Sequence, residues 1–406
     1  MVPADGHAII VEETRKRHRQ GIPHGGTCVA LRPAAADSYR TASTWGNLTM
    51  ADFTIHPDTL HKWVTELFAA AGSNATEARL AADHLVDANL TGHDSHGVGM
   101  IPKYVTALVN DKLKLNQTVE IVSDTGTMLT LDARRGLGQS VTHQAMELAI
   151  ERARKHGVCV MGLRNSHHLG RVGHWAEQAI AAGLVSIHFT NANSIHVVAP
   201  HGGAQARFVT NPFTVGIPRT GRDPLLLDFA TSAIAHGKAR VAYNKKVPVP
   251  PGSLIDSEGR PTTDPAAVFE SPAGALLTFA GHKGYALAMV CEMLGAALTG
   301  GDTSRPVDED ISLRVWNSML TIVFDPARIG SLEHFEREAA AFEDWVRSSS
   351  LAPGSEGIRM PGDPERESRK ARANGIAIDA QTLAQLDSAA AQVSVNLPPL
   401  SSLGGA

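Results

Sequence analysis

Strand and helix patterns alternate from residue 128 to residue 190, and that alternation restricts the fold more than any other feature of the chain. Met128–Asp132 reads as a short strand, Ser140 to about His156 as a helix, and Val158–Leu163 as a buried strand. A helix over Gly173–Ala182 and a strand over Leu184–Thr190 follow, so the segment predicts an α/β layer architecture. Further strands are expected at Thr214–Ile217, Leu225–Phe229 and Met319–Phe324, and a buried helix over His282–Leu298. Both ends of the patterned region are helical. Leu60, Trp63, Val64, Leu67 and Phe68 fall on one stripe before Gly72, and Asn74 with Glu77 has capping-box spacing at the head of a helix running to Leu90. Helical periodicity returns over Leu332–Val346 and Ala380–Val393.

Residues 1–49 lack such periodicity and include the basic run Arg15–Arg19; they are expected to be a disordered extension ahead of a natural start at Met50. At 406 residues the chain can bury a large core. Its division is expected to be a helical domain from residues 50–127 plus 332–395 and a second domain over 128–331.

Composition excludes several function classes. Formal net charge is -4, with 37 basic and 41 acidic residues, which gives no field for nucleic acid. Aromatic residues make up 5% of the chain, too few for base-stacking platforms. The most apolar stretch, Tyr285–Leu298, is short and interrupted by Glu292, so no membrane span is expected. Cys28, Cys159 and Cys291 have no metal-ligand spacing and suggest a reducing, cytoplasmic setting.

Two histidine motifs carry the chemistry: Asp94-Ser95-His96-Gly97-Val98 and Asn165-Ser-His-His-Leu-Gly170. Histidine exchanges protons near neutral pH, so two such motifs can form one proton-handling site; each could equally be a turn or a helix cap. The dinucleotide fingerprint G-x-G-x-x-G is absent. Gly136-x-Gly138 has Val141 at the third glycine position, and Gly97-x-Gly99 has Pro102. A Rossmann fold is therefore not expected. Asp228, at the end of Leu225–Phe229, can bind a ribose or an amide, or cap the next helix. Lys283 precedes an apolar helix, where it can add charge to an anion site or lie on the surface. Met360–Glu365 is a tight turn. His167, His168 and His174 fit no zinc spacing, and no metal is expected.

Together, Gly92–Met100, Asn165–Gly173, Thr210–Phe213, Leu225–Ser232, Pro261–Pro265 and His282–Ala286 resemble the non-Rossmann malate/L-lactate dehydrogenase family from about Phe53 to Val393. The resemblance implies NAD or NADP as cofactor, a small 2-oxo or 2-hydroxy acid as substrate, and a homodimer. It implies a mixed-sheet cofactor domain, here 128–331, and a helical domain from both chain ends. It also implies roles for individual residues. His96 and His168 match positions that move the proton, with Ser95, His96 and Met100 at the substrate. Gly170, Arg171, Val172, Leu226, Leu227, Asp228, Phe229, Ala230, His282, Lys283, Asn317, Gly362, Asp363, Pro364 and Glu365 match cofactor-contacting positions. Other branches have an arginine where this chain has Met100, which suggests an aromatic or bulky 2-oxo acid. A cyclic-imine reductase of the same family, or a metal-dependent hydrolase using the histidines, are the competing expectations.

Overall fold

The computed structural model describes residues 53–306, 315–393 and 397–403. The extension over 1–49 and the start at Met50 lie outside these residues, as does Cys28.

The strand β1 (Phe53–Ile55) leads into α1 (Pro57–Ala70) and α2 (Ala75–Leu90). The Asn74 side chain accepts from the Glu77 N–H at 2.9 Å, as the capping spacing predicts. After α2, two 3₁₀ turns at Asp94–His96 and Val98–Met100 carry the chain into α3 (Ile101–Val109). Next come β2 (Glu120–Asp124), β3 (Met128–Asp132), α4 (Gly138–His156), β4 (Val158–His167), α5 (Gly173–Ala181) and β5 (Val185–Asn193). Then β6 (Pro212–Ile217), β7 (Leu225–Ala230) and α6 (His236–Lys245) precede a small sheet made of β8 (Leu254–Ile255), β9 (Pro261–Thr262) and β10 (Ala275–Leu276), with α7 (Ala266–Phe269) between the last two. After α8 (His282–Val290) the chain enters a π-helix over Cys291–Ala297, then β11 (Trp316–Phe324), α9 (Leu332–Arg347), α10 (Asp363–Ala371), β12 (Ile376–Ile378) and α11 (Ala380–Gln392).

The main sheet has seven strands in the order β2-β3-β4-β11-β5-β6-β7. Only β3 and β4 run parallel; the other pairs are antiparallel. The architecture is the expected mixed α/β type. In the centre, β11 and the part of β4 up to Leu163 are mostly apolar and largely buried, as central strands should be. α4 and α5 pack one face around Leu131, Val141, Met161, Trp175 and Met319.

A separate core joins Leu60, Trp63, Leu67 and Leu85 to Ile376, Leu383 and Leu386, so both chain ends build it. α9 has no buried residue; it is tied to the loop after β6 by ion pairs from Arg219 and Arg222 to Glu343 and Asp344. The helix over His282–Leu298, expected to be buried, differs: Val290, Met293 and Leu298 stand exposed on its outer face. The turn widens into π geometry, and Glu292 is turned inward, 3% exposed. Its carboxylate accepts from Asn211 Nδ2 (2.7 Å), Asn191 Nδ2 (3.1 Å), the Ser304 N–H (2.9 Å) and the Ser304 hydroxyl. Four donors stand in for the water this buried anion has lost.

Candidate active site

His96 and His168 come from opposite ends of the sequence motif map, yet their rings stack with centroids 5.5 Å apart and planes 21° apart. The first sits on the 3₁₀ turn after α2, a turn held by Asn89: its Nδ2 donates to Asp94 (2.7 Å) and its Oδ1 accepts from the Val98 N–H (2.9 Å). The second follows β4, which runs farther than the apolar pattern predicts because Ser166 and His167 pair with Asn317 and Trp316 of β11. Asn317 fixes the loop beyond: its Oδ1 accepts from the Leu169 N–H and its Nδ2 donates to the Asn191 carbonyl, both at 2.9 Å. With both ends of its amide so engaged, Asn317 braces the histidine loop.

Each ring has one nitrogen occupied. Ser95 Oγ lies 2.9 Å from His96 Nδ1, and Tyr104 Oη lies 2.6 Å from His168 Nδ1. Gln139 Nε2 donates to the same phenol oxygen at 3.1 Å. The phenol proton therefore points at His168, and burial raises the Tyr104 pKa further, so that proton stays on. Neutral His168 must then carry its own proton on Nε2. Burial, the largest cause, lowers His96 to about 4, with His93 adding to the shift and Asp228 opposing it. Burial also holds His168 well below its ordinary value. At neutral pH both are uncharged imidazoles presenting Nε2.

Replacing Tyr104 with phenylalanine should free the His168 tautomer. Loss of this one hydrogen bond is worth about 1 kcal/mol, or about fivefold in turnover with KM little changed. ¹⁵N spectra of the His168 ring should show mixed tautomers; a single unchanged tautomer would contradict the arrangement.

Opposite the histidines lies α6. A methyl group on Gly237 would come within 2.7 Å of the Ser95 Cβ, so only glycine allows this approach. Lys103, on α3 beside Tyr104, acts electrostatically on His96, His168 and His236, and Arg240 acts on Lys103. Tyr104, Gln139 and Lys103 were not singled out from the sequence. Ile101, Tyr104, Val105 and Leu108 do fall at helical spacing, and that signal could have revealed α3.

Several of the segments expected at the cofactor converge beside this pair. β7 is an edge of the main sheet, and the Leu226 N–H reaches off it to the Pro361 carbonyl at 3.2 Å. Since pairing alternates along an antiparallel ladder, Asp228 and Ala230 turn their backbone groups to the same open edge. Side chains alternate too: Leu226, Asp228 and Ala230 share one face, while Leu227 and Phe229 point the other way, Phe229 toward Phe279. Asp228 accepts from Thr214 Oγ1 (2.7 Å) and the Gly173 N–H (2.9 Å). Gly170 is left-handed (φ +74°), and a side chain there would strike His84. Val172 is buried in the core that α4 and α5 form on the main sheet. A cleft of about 510 Å³ opens between Leu226, Gly362, Glu365, Glu177 and Arg369. Asp363 caps its own turn through the Met360 N–H (2.8 Å), Pro364 follows at the start of α10, and Glu365 meets His93 at 3.1 Å. His282 and Lys283 are exposed at the start of α8, near His201 and beyond the far end of β7; no hydrogen bond or ion pair links Lys283 to the histidine pair.

The groups of Asp87, His174 and Glu177 lie within 4.8 Å of one another. Yet Arg171 and Arg369 already hold Asp87 at 3.0 and 2.6 Å, and Arg171 also pairs with Glu177. Two guanidiniums among these carboxylates oppose a divalent cation. His174 turns to Asp87 (3.6 Å) whereas His168 turns to Tyr104, so the clustered histidines serve different neighbours.

Residues 55–387 match the malate/L-lactate dehydrogenase family. Over 337 residues the chain is 49% identical to hydroxycarboxylate dehydrogenase B of Escherichia coli, covering 82% of this chain and 93% of that one. It is 36% identical over 325 residues to a Delta(1)-pyrroline-2-carboxylate/Delta(1)-piperideine-2-carboxylate reductase of Pseudomonas syringae pv. tomato, 79% of this chain and 91% of the other. The solved sulfolactate dehydrogenase of Methanocaldococcus jannaschii matches with a TM-score of 0.77 at 33% identity, over 84% of this chain and 98% of that one. Likeness of this extent has one meaning: the chain belongs to the malate/L-lactate dehydrogenase family.

Proposed function

We propose that this protein is a 2-hydroxycarboxylate dehydrogenase that uses NAD or NADP and works reversibly as a 2-oxo acid reductase. The observation that carries the reading is the stacked pair His96 and His168, both neutral and both offering Nε2, beside the open edge of β7. The residues present fit a dinucleotide. Arg171, 2% exposed, keeps Nε and Nη1 without protein partners, suited to a phosphate. Gly170 and Gly173 let this loop pack closely on its neighbours: a Cβ would lie 2.1 Å from His84 at Gly170 and 2.6 Å from Asp228 at Gly173. Gly170, Arg171, the β7 edge and the Gly362–Glu365 turn would hold the cofactor, with His282 and Lys283 beyond the strand's far end.

When bound, the nicotinamide accepts or supplies the hydride at C4. In oxidation, His96 Nε2 removes the proton of the C2 hydroxyl as the hydride leaves C2, yielding a 2-oxo acid and a protonated His96. His168 donates its Nε2 proton in a hydrogen bond to the same oxygen and so stabilises the alkoxide as it forms. Reduction reverses each step. Met100, which rests partly against the core built from both chain ends, adds no charge, and this supports an aromatic or bulky side group on the substrate.

A panel of 2-oxo acids against reduced NAD and NADP tests the reading through loss of reduced-nicotinamide absorbance. We expect phenylpyruvate to exceed oxaloacetate about tenfold or more in kcat/KM, the order of a few apolar groups in a pocket. Equal values would remove the size preference, and no turnover of any acid would remove the function. The panel should include cyclic 2-carboxyimines, because the Pseudomonas syringae relative is named a reductase of such compounds.

Exposed Phe342 and Trp345, at 64% and 67%, and the outer apolar face of α8 support a homodimer. Buried, unpaired Cys159 and Cys291 support a cytoplasmic setting. Among the described residues no helix is long and apolar enough to cross a membrane.

A further inference from the structure

A 2-hydroxy or 2-oxo acid carries its carboxylate on the very carbon that reacts. That anion must therefore be held within a few ångströms of His96 and His168, and an anion drawn from water needs a cation or several donors. The charged groups acting around this spot are few, and Arg171, which also acts on His96, has its Nη2 held by Asp87 and Glu177. Asp228 has both oxygens engaged by Thr214 and Gly173. Arg240 lies with its guanidinium carbon 5.0 Å from the centre of the Phe269 ring. Lys103 makes no hydrogen bond or ion pair with any described residue.

Its place in the fold is informative. Lys103 stands on α3 next to Tyr104, whose hydroxyl grips His168 at 2.6 Å. Across the gap, α6 touches Ser95 through Gly237 and brings His236 and Arg240 to the same side. The side chain stays open to solvent, as a group that meets an incoming anion must. Even so, partial desolvation, and then the repulsion of Arg240, hold its pKa below the ordinary lysine value. No carboxylate offsets this charge, so a bound anion would relieve it.

We propose that Lys103 binds the substrate carboxylate, its ammonium holding that group while His96 and His168 engage the oxygen on C2. The assignment rests on reading the site as that of a 2-hydroxycarboxylate dehydrogenase. It makes the site selective for acids over neutral analogues without help from Met100. Lysine, a point charge on a flexible stem, also suits acids of varied bulk better than a fixed guanidinium fork would.

Calorimetric binding of 3-phenyllactate and 3-phenyllactamide to the full chain tests this, for the natural protein, Lys103→Met and Lys103→Arg. The natural protein should bind the acid about 10–100-fold more tightly than the amide, the range of a charge-assisted hydrogen bond. Lys103→Met should bring the acid down to the level of the amide and leave the amide unchanged, and Lys103→Arg should restore most of the difference. An acid preference that survives Lys103→Met, or none in the natural protein, would overturn the assignment. Oxidation of phenyllactate with NAD and NADP is read in parallel. Binding through Lys103 without any turnover would leave the assignment standing and end the dehydrogenase reading instead.

Discussion

Substituting alanine for His96 should lower kcat for 2-hydroxy acid oxidation by about 10²–10⁴-fold, the usual worth of a general base. Cofactor binding should change little, since the cleft proposed for the cofactor is lined by Leu226, Gly362 and Glu365 and not by His96. Stopped-flow turnover beside a fluorescence titration of reduced cofactor measures both. Equal losses in the two would make His96 a structural residue. The pH profile sharpens the test. In the proposed reaction His96 can act as a base only when neutral, and burial lowers its pKa to about 4. For oxidation, kcat/KM should thus hold level from pH 8 down to about 5 and fall only as His96 gains a proton. Reduction needs the protonated form, whose share drops tenfold for each pH unit above that value. Its kcat/KM should accordingly decline as pH rises across the neutral range.

A second large effect concerns stability in mild acid. His84, His167 and His188 are each at most 1% exposed. Burial is the main cause of depression in all three: it puts His167 at about 3 and His188 at about 4, and takes His84 well below its ordinary value. In the unfolded chain each titrates near 6.5. Below that pH the unfolded state binds protons that the folded state refuses, so the stability present at pH 7 and above is lost as pH falls. Each histidine costs about 1.4 kcal/mol per pH unit, so the three together remove about 4 kcal/mol by pH 5.5. That is a large part of the 5–15 kcal/mol typical of a folded domain. Urea unfolding at pH 7.5 and 5.5 should show the loss. His167→Phe should reduce the loss by about 1.4 kcal/mol per pH unit below 6.5, because both nitrogens of that ring lack partners and phenylalanine cannot titrate. Identical midpoints at the two pH values would refute the account.

Local signals were legible where a residue's partner is near in sequence. The Asn74 cap, the stripe of α1 and the apolar runs of β4 and β5 all reveal themselves within a few residues. β4 extends past its apolar pattern because its final residues pair with β11, about 150 positions away, and carry polar side chains. α6 gave little pattern: only Ala239 and Ala242 are buried along it. Within the site, the two histidines were visible as motifs, and so was the idea that they meet. The Tyr104 hydroxyl and the Gln139 amide were not, because their importance lies in which distant atom each one touches. Lys103 was silent for the opposite reason: an exposed lysine looks like any other until the charges around it are known. The family-implied run Leu226–Ala230 proved to be a strand edge, so its side chains face two ways and only alternate backbone groups reach outward.

The widened turn at Cys291–Ala297 has a bearing on how this chain tolerates changes in length. A π turn is an α-helix that has taken in an additional residue, and each residue of an α-helix advances the side chains by about 100°. Trimming one position there would swing Glu292 off its axis and take away the carboxylate to which the amides of Asn191 and Asn211 donate. Insertions and deletions should therefore gather in neighbouring loops and avoid this seven-residue segment.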